Sequence, residues 1–162
     1  MSDQTGAPAS GALPAPSPQR GALPAPVPTV TLETQPYWDA TAEGRLVLPR
    51  CDACDTVIWY PRRFCPACGS SNVSWIDASG RGAIYSFTVV RKGGGQYREA
   101  DPFVVAYVEL DEGPRMMTNI VDCDPASLTI GDRVEVVFHP TSAGAGDGGA
   151  MGSALPRFRP VR

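Results

Sequence analysis

Residues 51 to 68 carry the tightest constraint in the chain: Cys51-Asp-Ala-Cys54, ten residues, then Cys65-Pro-Ala-Cys68 followed by Gly69. A Cys-x-x-Cys pair turns back on itself so that both sulfurs face one point, and two such hooks at this separation close on a single ion in a tetrahedral four-thiolate site. Soft thiolates in that cage suit zinc, with iron as the alternative because Cys-Pro-x-Cys-Gly is also a rubredoxin-like knuckle. Four protein ligands leave no open coordination position, so the ion is expected to hold structure and perform no hydrolysis. Two disulfides are the competing arrangement. Against them, Cys-x-x-Cys makes a poor structural disulfide, and no basic head followed by an apolar run marks the N-terminus for export. Between the hooks, Val57-Ile58-Trp59-Tyr60 predicts a short strand and Pro61-Arg62-Arg63 a turn, which together would bring the two knuckles of a zinc ribbon face to face.

Charge bounds the partners. The formal net charge is −3, and the positive charge is almost all arginine, with Lys92 the only lysine. A general nucleic-acid binder presents a basic surplus, so this balance counts against one. No apolar run approaches the roughly 20 residues of a membrane span, and the expectation is a soluble, cytoplasmic protein. Cys123, the fifth cysteine, reads as a small apolar residue at the end of a strand.

Residues 1–30 are built from Ala, Pro, Gly, Ser and Gln, with Asp3 and Arg20 as the charged exceptions. They offer too little apolar surface to offset the entropy of folding and are expected to be a disordered Pro/Ala-rich tail. Within it Gly11-Ala-Leu-Pro-Ala-Pro16 recurs as Gly21-Ala-Leu-Pro-Ala-Pro26. The period is too short for a solenoid, and the tail reads as a solvated, semi-rigid spacer, with a tether or a ligand for an aromatic groove as the alternative.

Residues 31–45 predict a short helix capped by Thr34, with Pro36 in its first turn and Gly44 just past its end. Tyr37, Trp38 and Ala42 fall at helical spacings. A helix this short must pack on something, either the rest of the chain or another protein for which the two aromatics are anchors. The ribbon spans residues 46–78, entered by Leu46-Val-Leu48 and left by Val73-Ser-Trp75-Ile76. Beyond Ser79-Gly80-Arg81-Gly82, residues 79–162 predict five strands: Ile84 to Val90, Phe103 to Leu110, Arg115 to Val121, Arg133 to Phe138 and Leu155 to Val161. The fold class is therefore mainly β: a short helix, a rubredoxin-like ribbon and a five-stranded OB-fold barrel, with an SH3-like barrel as the alternative.

In this order the parts resemble a known family, the stand-alone zinc-ribbon/OB-fold proteins associated with acyl-CoA metabolism and first classed as a domain of unknown function. The resemblance runs from about Gln35 to the C-terminus. It rests on Pro36-Tyr37-Trp38, Gly44-Arg45-Leu46, the four cysteines around Tyr60-Pro61-Arg62, Trp75, Ser79-Gly80-Arg81-Gly82, Val108-Glu109-Leu110, Ile130-Gly131-Asp132-Arg133-Val134 and Pro156-Arg157-Phe158. The Pro-rich tail has no counterpart in that pattern.

The resemblance implies an accessory subunit without catalytic residues of its own, partnering a thiolase-superfamily enzyme that makes or breaks carbon–carbon bonds, or transfers acyl groups, on acyl-CoA or related substrates. A second acyl-CoA enzyme, such as a hydratase or synthase, is a further implied partner. Tyr37, Trp38, Arg62 and Arg63 are the candidate docking residues. Arg81, Arg91, Lys92, Tyr97 and Arg98 are the candidates for contact with CoA or substrate, since guanidinium forks suit phosphates and carboxylates alike. The one histidine, His139, has no recognisable nucleophile partner and reads as structural or solvated. The rival class is a single-stranded nucleic-acid binder using Tyr85, Phe87, Tyr97 and Tyr107, weakened by Glu99, Asp101 and Glu109 among the same elements.

Overall fold

The computed structural model describes residues 22–141 and 152–161. One helix, α1 (Gln35–Ala42), precedes seven strands: β1 (Val47–Cys51), β2 (Val73–Asp77), β3 (Arg81–Val90), β4 (Phe103–Leu110), β5 (Arg115–Ile120), β6 (Arg133–Pro140) and β7 (Ala154–Pro160). β1 and β2 pair antiparallel as the stem of the ribbon, with Cys51 opposite Val73. β3 to β7 close into a barrel in the order β3-β4-β5-β7-β6. The parallel pair β5–β7 is in register at Ile120 and Phe158, and Thr118 Oγ1 donates to Pro156 O at 3.1 Å beside it. This is the five-stranded OB barrel, and it excludes the SH3-like alternative.

Strand alternation decides which face is inside. In β4, Val104, Ala106, Val108 and Leu110 are buried while Tyr107 and Glu109 face outwards, and in β5 Met116, Thr118 and Ile120 point inwards. Gly82 on β3 lies where a Cβ would collide with the Glu109 carbonyl and the Val108 side chain, so a side chain there would force β3 off β4.

α1 ends as its sequence predicts. Gly44 takes φ +73°, Arg45 N bonds Ala40 O at 2.9 Å and Gly44 N bonds Thr41 O at 3.1 Å, which is a Schellman motif. At the other end Thr34 holds the N-cap position but makes no side-chain bond to the helix. Its hydroxyl turns back to accept from Thr31 N at 3.0 Å, so the preceding turn, not the helix, gains that bond.

Two expectations change. The strand predicted at Val57–Tyr60 is reduced to a single bridge between Arg50 and Val57, because Trp59 and Tyr60 turn their rings onto α1 instead of continuing a ladder. The disorder expected through residue 30 does not hold for the described part of the tail: Leu23 is 7% exposed and packs against the barrel. Residues 1–21 and most of the glycine-rich loop predicted at Thr141 to Ser153 lie outside the described residues.

One apolar cluster runs through all three parts. Tyr37 and Trp38 of α1, Leu46 and Leu48 of the ribbon, and Ile84, Val108, Val134 and Phe158 of the barrel belong to it. Helix, ribbon and barrel therefore share a core. Among the described residues no helix is long and apolar enough to cross a membrane.

Candidate metal centre and interaction surfaces

The two hooks are built alike. In the first, Asp55 N bonds Cys51 O at 2.8 Å and Cys51 N bonds Thr56 O at 2.9 Å; in the second, Gly69 N bonds Cys65 O and Cys65 N bonds Ser70 O, both at 2.9 Å. The residue after each second cysteine takes a left-handed conformation, Asp55 at φ +58° and Gly69 at φ +76°. Glycine adopts it freely, and aspartate is among the few other residues that tolerate it.

The four sulfurs lie within 4.8 Å of one another. Cys51 to Cys68 and Cys54 to Cys65 are each 3.6 Å, sulfur to sulfur. Zn–S bonds of about 2.3 Å in a tetrahedron separate sulfurs by roughly 3.8 Å, so the set fits one ion. Cys51 and Cys65 are buried, Cys54 and Cys68 exposed. Without a cation the thiols divide their protons unevenly: bonds from Thr56 pull Cys54 well below the usual thiol range, whereas Cys68, although lowered by the Ser70 backbone donor, is pushed up by the thiols of Cys54 and Cys51. With all four positions supplied by the chain, an ion held there would have a structural role: it would tie the end of β1 at Cys51 to the second knuckle, Cys65 and Cys68, ahead of β2.

That loop is fastened to α1 by aromatic rings. The Tyr37 centroid lies 4.9 Å from Trp38, 5.5 Å from Trp59 and 6.0 Å from Tyr60, all edge-on. Trp38 Nε1 donates to Tyr60 Oη at 3.0 Å. Burial, followed by the neighbouring Tyr60, raises the Tyr37 hydroxyl far above its ordinary range. Tyr37 and Trp38 are only 1% and 8% exposed, so the packing chosen by this helix is on its own chain.

The other candidate docking residues are on the surface. Arg62 and Arg63 line a groove of about 240 Å³ with Leu32, Pro36, Val73 and Trp75. Leu32 is 96% exposed and Trp75 38%, and Phe64 stands nearby in the chain at 58%. Nothing local in the sequence marks Leu32 or Phe64; only the fold brings Leu32 to this groove.

The candidate substrate contacts are divided. Arg91 and Lys92 follow the end of β3, and Tyr97 and Arg98 lie in the 3₁₀ stretch Gly95–Ala100. Tyr97 lines a cleft of about 290 Å³ on the outer barrel face with Phe103, Val105, Met117, Thr118 and Asn119. Arg81 starts β3 at the opposite end and does not join them. On the same outer face Tyr85 is covered by the Arg115 guanidinium, 3.5 Å from its centroid, and Arg115 bonds Glu109 at 2.8 Å.

Sequence reading missed Arg157. It is 2% exposed on β7, donates to Leu23 O at 3.2 Å and to Pro24 O, and lies 3.3 Å from His139 Nδ1. The bond requires the neutral His139 tautomer with its proton on Nε2, and burial, then Arg157 itself, holds this imidazole below its ordinary range. Cys123 is half-buried against the core, its thiol pushed up to about 11 by burial and by Asp124 and Asp122.

A four-thiolate ribbon feeding an OB barrel defines a class of protein, and two family models match it in tandem. The ChsH2 rubredoxin-like zinc ribbon domain matches residues 38–74 and the ChsH2 C-terminal OB-fold domain residues 75–139. A DUF35 domain-containing scaffold protein from Methanothermobacter thermautotrophicus is 39% identical over 100 residues, covering 61% of this chain and 75% of that one. The chain belongs to the DUF35 family. It is also similar to a probable enoyl-CoA hydratase alpha subunit from Thermomonospora curvata, 38% identical over 104 residues, 64% of this chain but 32% of that protein. Among solved structures, a chain of the Ltp2-ChsH2(DUF35) aldolase superposes with a TM-score of 0.67 at 34% identity, covering 82% of this chain and 98% of that one.

Proposed function

We propose that this chain is a non-catalytic accessory subunit of an acyl-CoA enzyme complex, docking on a thiolase-superfamily enzyme that forms or cleaves carbon–carbon bonds or transfers acyl groups. The observation that carries the reading is the likeness to a chain of an aldolase complex over 98% of that chain's length, at 34% identity. The metal centre agrees with it. Zinc held by Cys51, Cys54, Cys65 and Cys68 would have no position for a substrate, so the chemistry would belong to the partner.

The groove between α1 and the ribbon is the proposed docking face. Leu32 and Trp75 supply apolar anchors in it with Arg62 and Arg63 beside them, and the exposed Phe64 follows Arg63 in the chain, a composition that favours interfaces. The cleft of Tyr97, Phe103 and Met117, with Arg91, Lys92 and Arg98 in the loop beside it, is the proposed contact for an acyl chain and its CoA phosphates. Arg81 would instead meet carboxylates on the partner. A second enzyme, a hydratase or synthase, would occupy a further face of the same assembly.

The test is co-expression with the thiolase-like protein encoded nearest to this chain. A stable complex whose turnover falls with Arg62→Glu/Arg63→Glu or Cys51→Ser is the expected result. Full turnover by the partner alone, with no complex by mass, would refute the reading.

A further inference from the structure

We infer that the barrel carries a seat for a Leu-Pro-Ala-Pro peptide, and that the chain holds two interchangeable ligands for it. The seat is filled by the second unit of the tail repeat. Leu23 enters an apolar pocket formed by Ala100, Phe103 and Val121, bordered by Tyr97 and Val137. Above it the Arg157 fork donates to two successive carbonyls, Leu23 O and Pro24 O.

Three features make this a recognition site and not casual tail packing. Arg157 is buried, yet among the described residues no carboxylate pairs with it, and its Nε has no partner at all. A buried cation served mainly by the carbonyls of the segment ahead of the helix is arranged to read a peptide backbone. His139 Nδ1 accepts from Arg157 Nη1 at 3.3 Å, the same nitrogen that donates to Leu23 O, and so fixes the fork beside the peptide. Leu-Pro-Ala-Pro has its backbone pre-set towards an extended helix, so little conformational freedom is lost on docking.

The first unit, Gly11 to Pro16, is identical to Gly21 to Pro26 at every position. Every group the seat reads, one leucine side chain and the next two carbonyls, is therefore present twice. When the first unit docks, the segment left between peptide and helix is residues 17–34 instead of 27–34, a longer loop that lowers occupancy by less than about tenfold. The tail slips by one repeat in cis, changing the length of chain held beside α1 without emptying the seat.

The experiment uses full-length Leu13→Ala, Leu23→Ala and double variants, followed by the NMR signals of the Arg157 Nε–H and the Ala100 and Val121 amides. Thermal unfolding and zinc content check that each is folded. Leu13→Ala should match the native chain. Leu23→Ala should keep the docked signals with occupancy lowered less than tenfold, and the double variant should lose them. Adding the hexapeptide Gly-Ala-Leu-Pro-Ala-Pro to the double variant should restore them saturably, whereas Gly-Ala-Ala-Pro-Ala-Pro should not. Identical spectra for Leu23→Ala and the double variant, or no response to the hexapeptide, would overturn the inference. Recovery in Leu23→Ala that grows with protein concentration would overturn the slip in cis in favour of exchange between copies.

Discussion

Trp38 Nε1 donates to Tyr60 Oη at 3.0 Å, joining the helix to the loop between the zinc knuckles across 22 positions of sequence. Because both rings also pack edge-on against Tyr37, the ribbon is held to α1 by an aromatic cluster as well as by the chain. Trp38→Ala should destabilise the protein by about 3–5 kcal/mol through the cavity it leaves. Tyr60→Phe, which removes only the acceptor for Trp38, should lose about 1 kcal/mol. Urea unfolding of the two variants separates packing from hydrogen bonding.

Metal analysis should find one zinc per chain, since all four sulfurs converge on one point. Chelation, or Cys65→Ser, should unfold the ribbon: metal binding in small zinc modules contributes on the order of 10 kcal/mol to folding. Amide exchange at Asp55 and Gly69, which bond back to Cys51 and Cys65, should accelerate first. Iron in place of zinc would show itself as colour in the purified protein.

The left-handed residues of the knuckles allow a matched comparison. Gly69 has open space around its Cα, so Gly69→Ala meets no clash and should lose about 1–2 kcal/mol through backbone strain alone. Asp55→Gly relaxes the same conformation in the other knuckle and gives up only a long, exposed ion pair with Arg50 at 3.9 Å. It should be neutral to mildly stabilising by thermal unfolding.

Gly82→Ala tests closure of the barrel. The added methyl would press on the Glu109 carbonyl, which cannot move without disturbing the β3–β4 ladder, and on the buried Val108 side chain. A loss of about 1–3 kcal/mol is expected, with the urea midpoint as the readout.

His139 gives a pH signature. Its folded-state pKa lies below its ordinary value of about 6.5, owing to burial and to Arg157 and against the pull of Asp122. As pH falls below 6.5 the unfolded chain takes up the proton first, so stability present above that value is lost on the way down to the folded pKa. The midpoint of urea unfolding should fall more between pH 7 and 5 in the native protein than in His139→Gln.

Short-range chemistry made much of this protein legible from sequence. The cysteine hooks are closed by bonds four and five residues apart, and Gly44 ends its helix through a motif confined to one turn. Alternation within single strands placed β4 over the same residues that the structure shows, Phe103 to Leu110. None of these depends on a distant partner, so local spacing suffices. What tertiary structure alone decided was the fate of groups whose partners are far away in the chain. Tyr37 and Trp38 could have faced a partner or their own core, and the approach of Trp59 and Tyr60 settled it. Leu32 and Trp75 became parts of one groove only after the ribbon closed. Arg157 read as the middle of Pro-Arg-Phe; folding set it beside His139 and against carbonyls more than 130 residues earlier, where burial gives an arginine a role that its neighbours in sequence cannot encode.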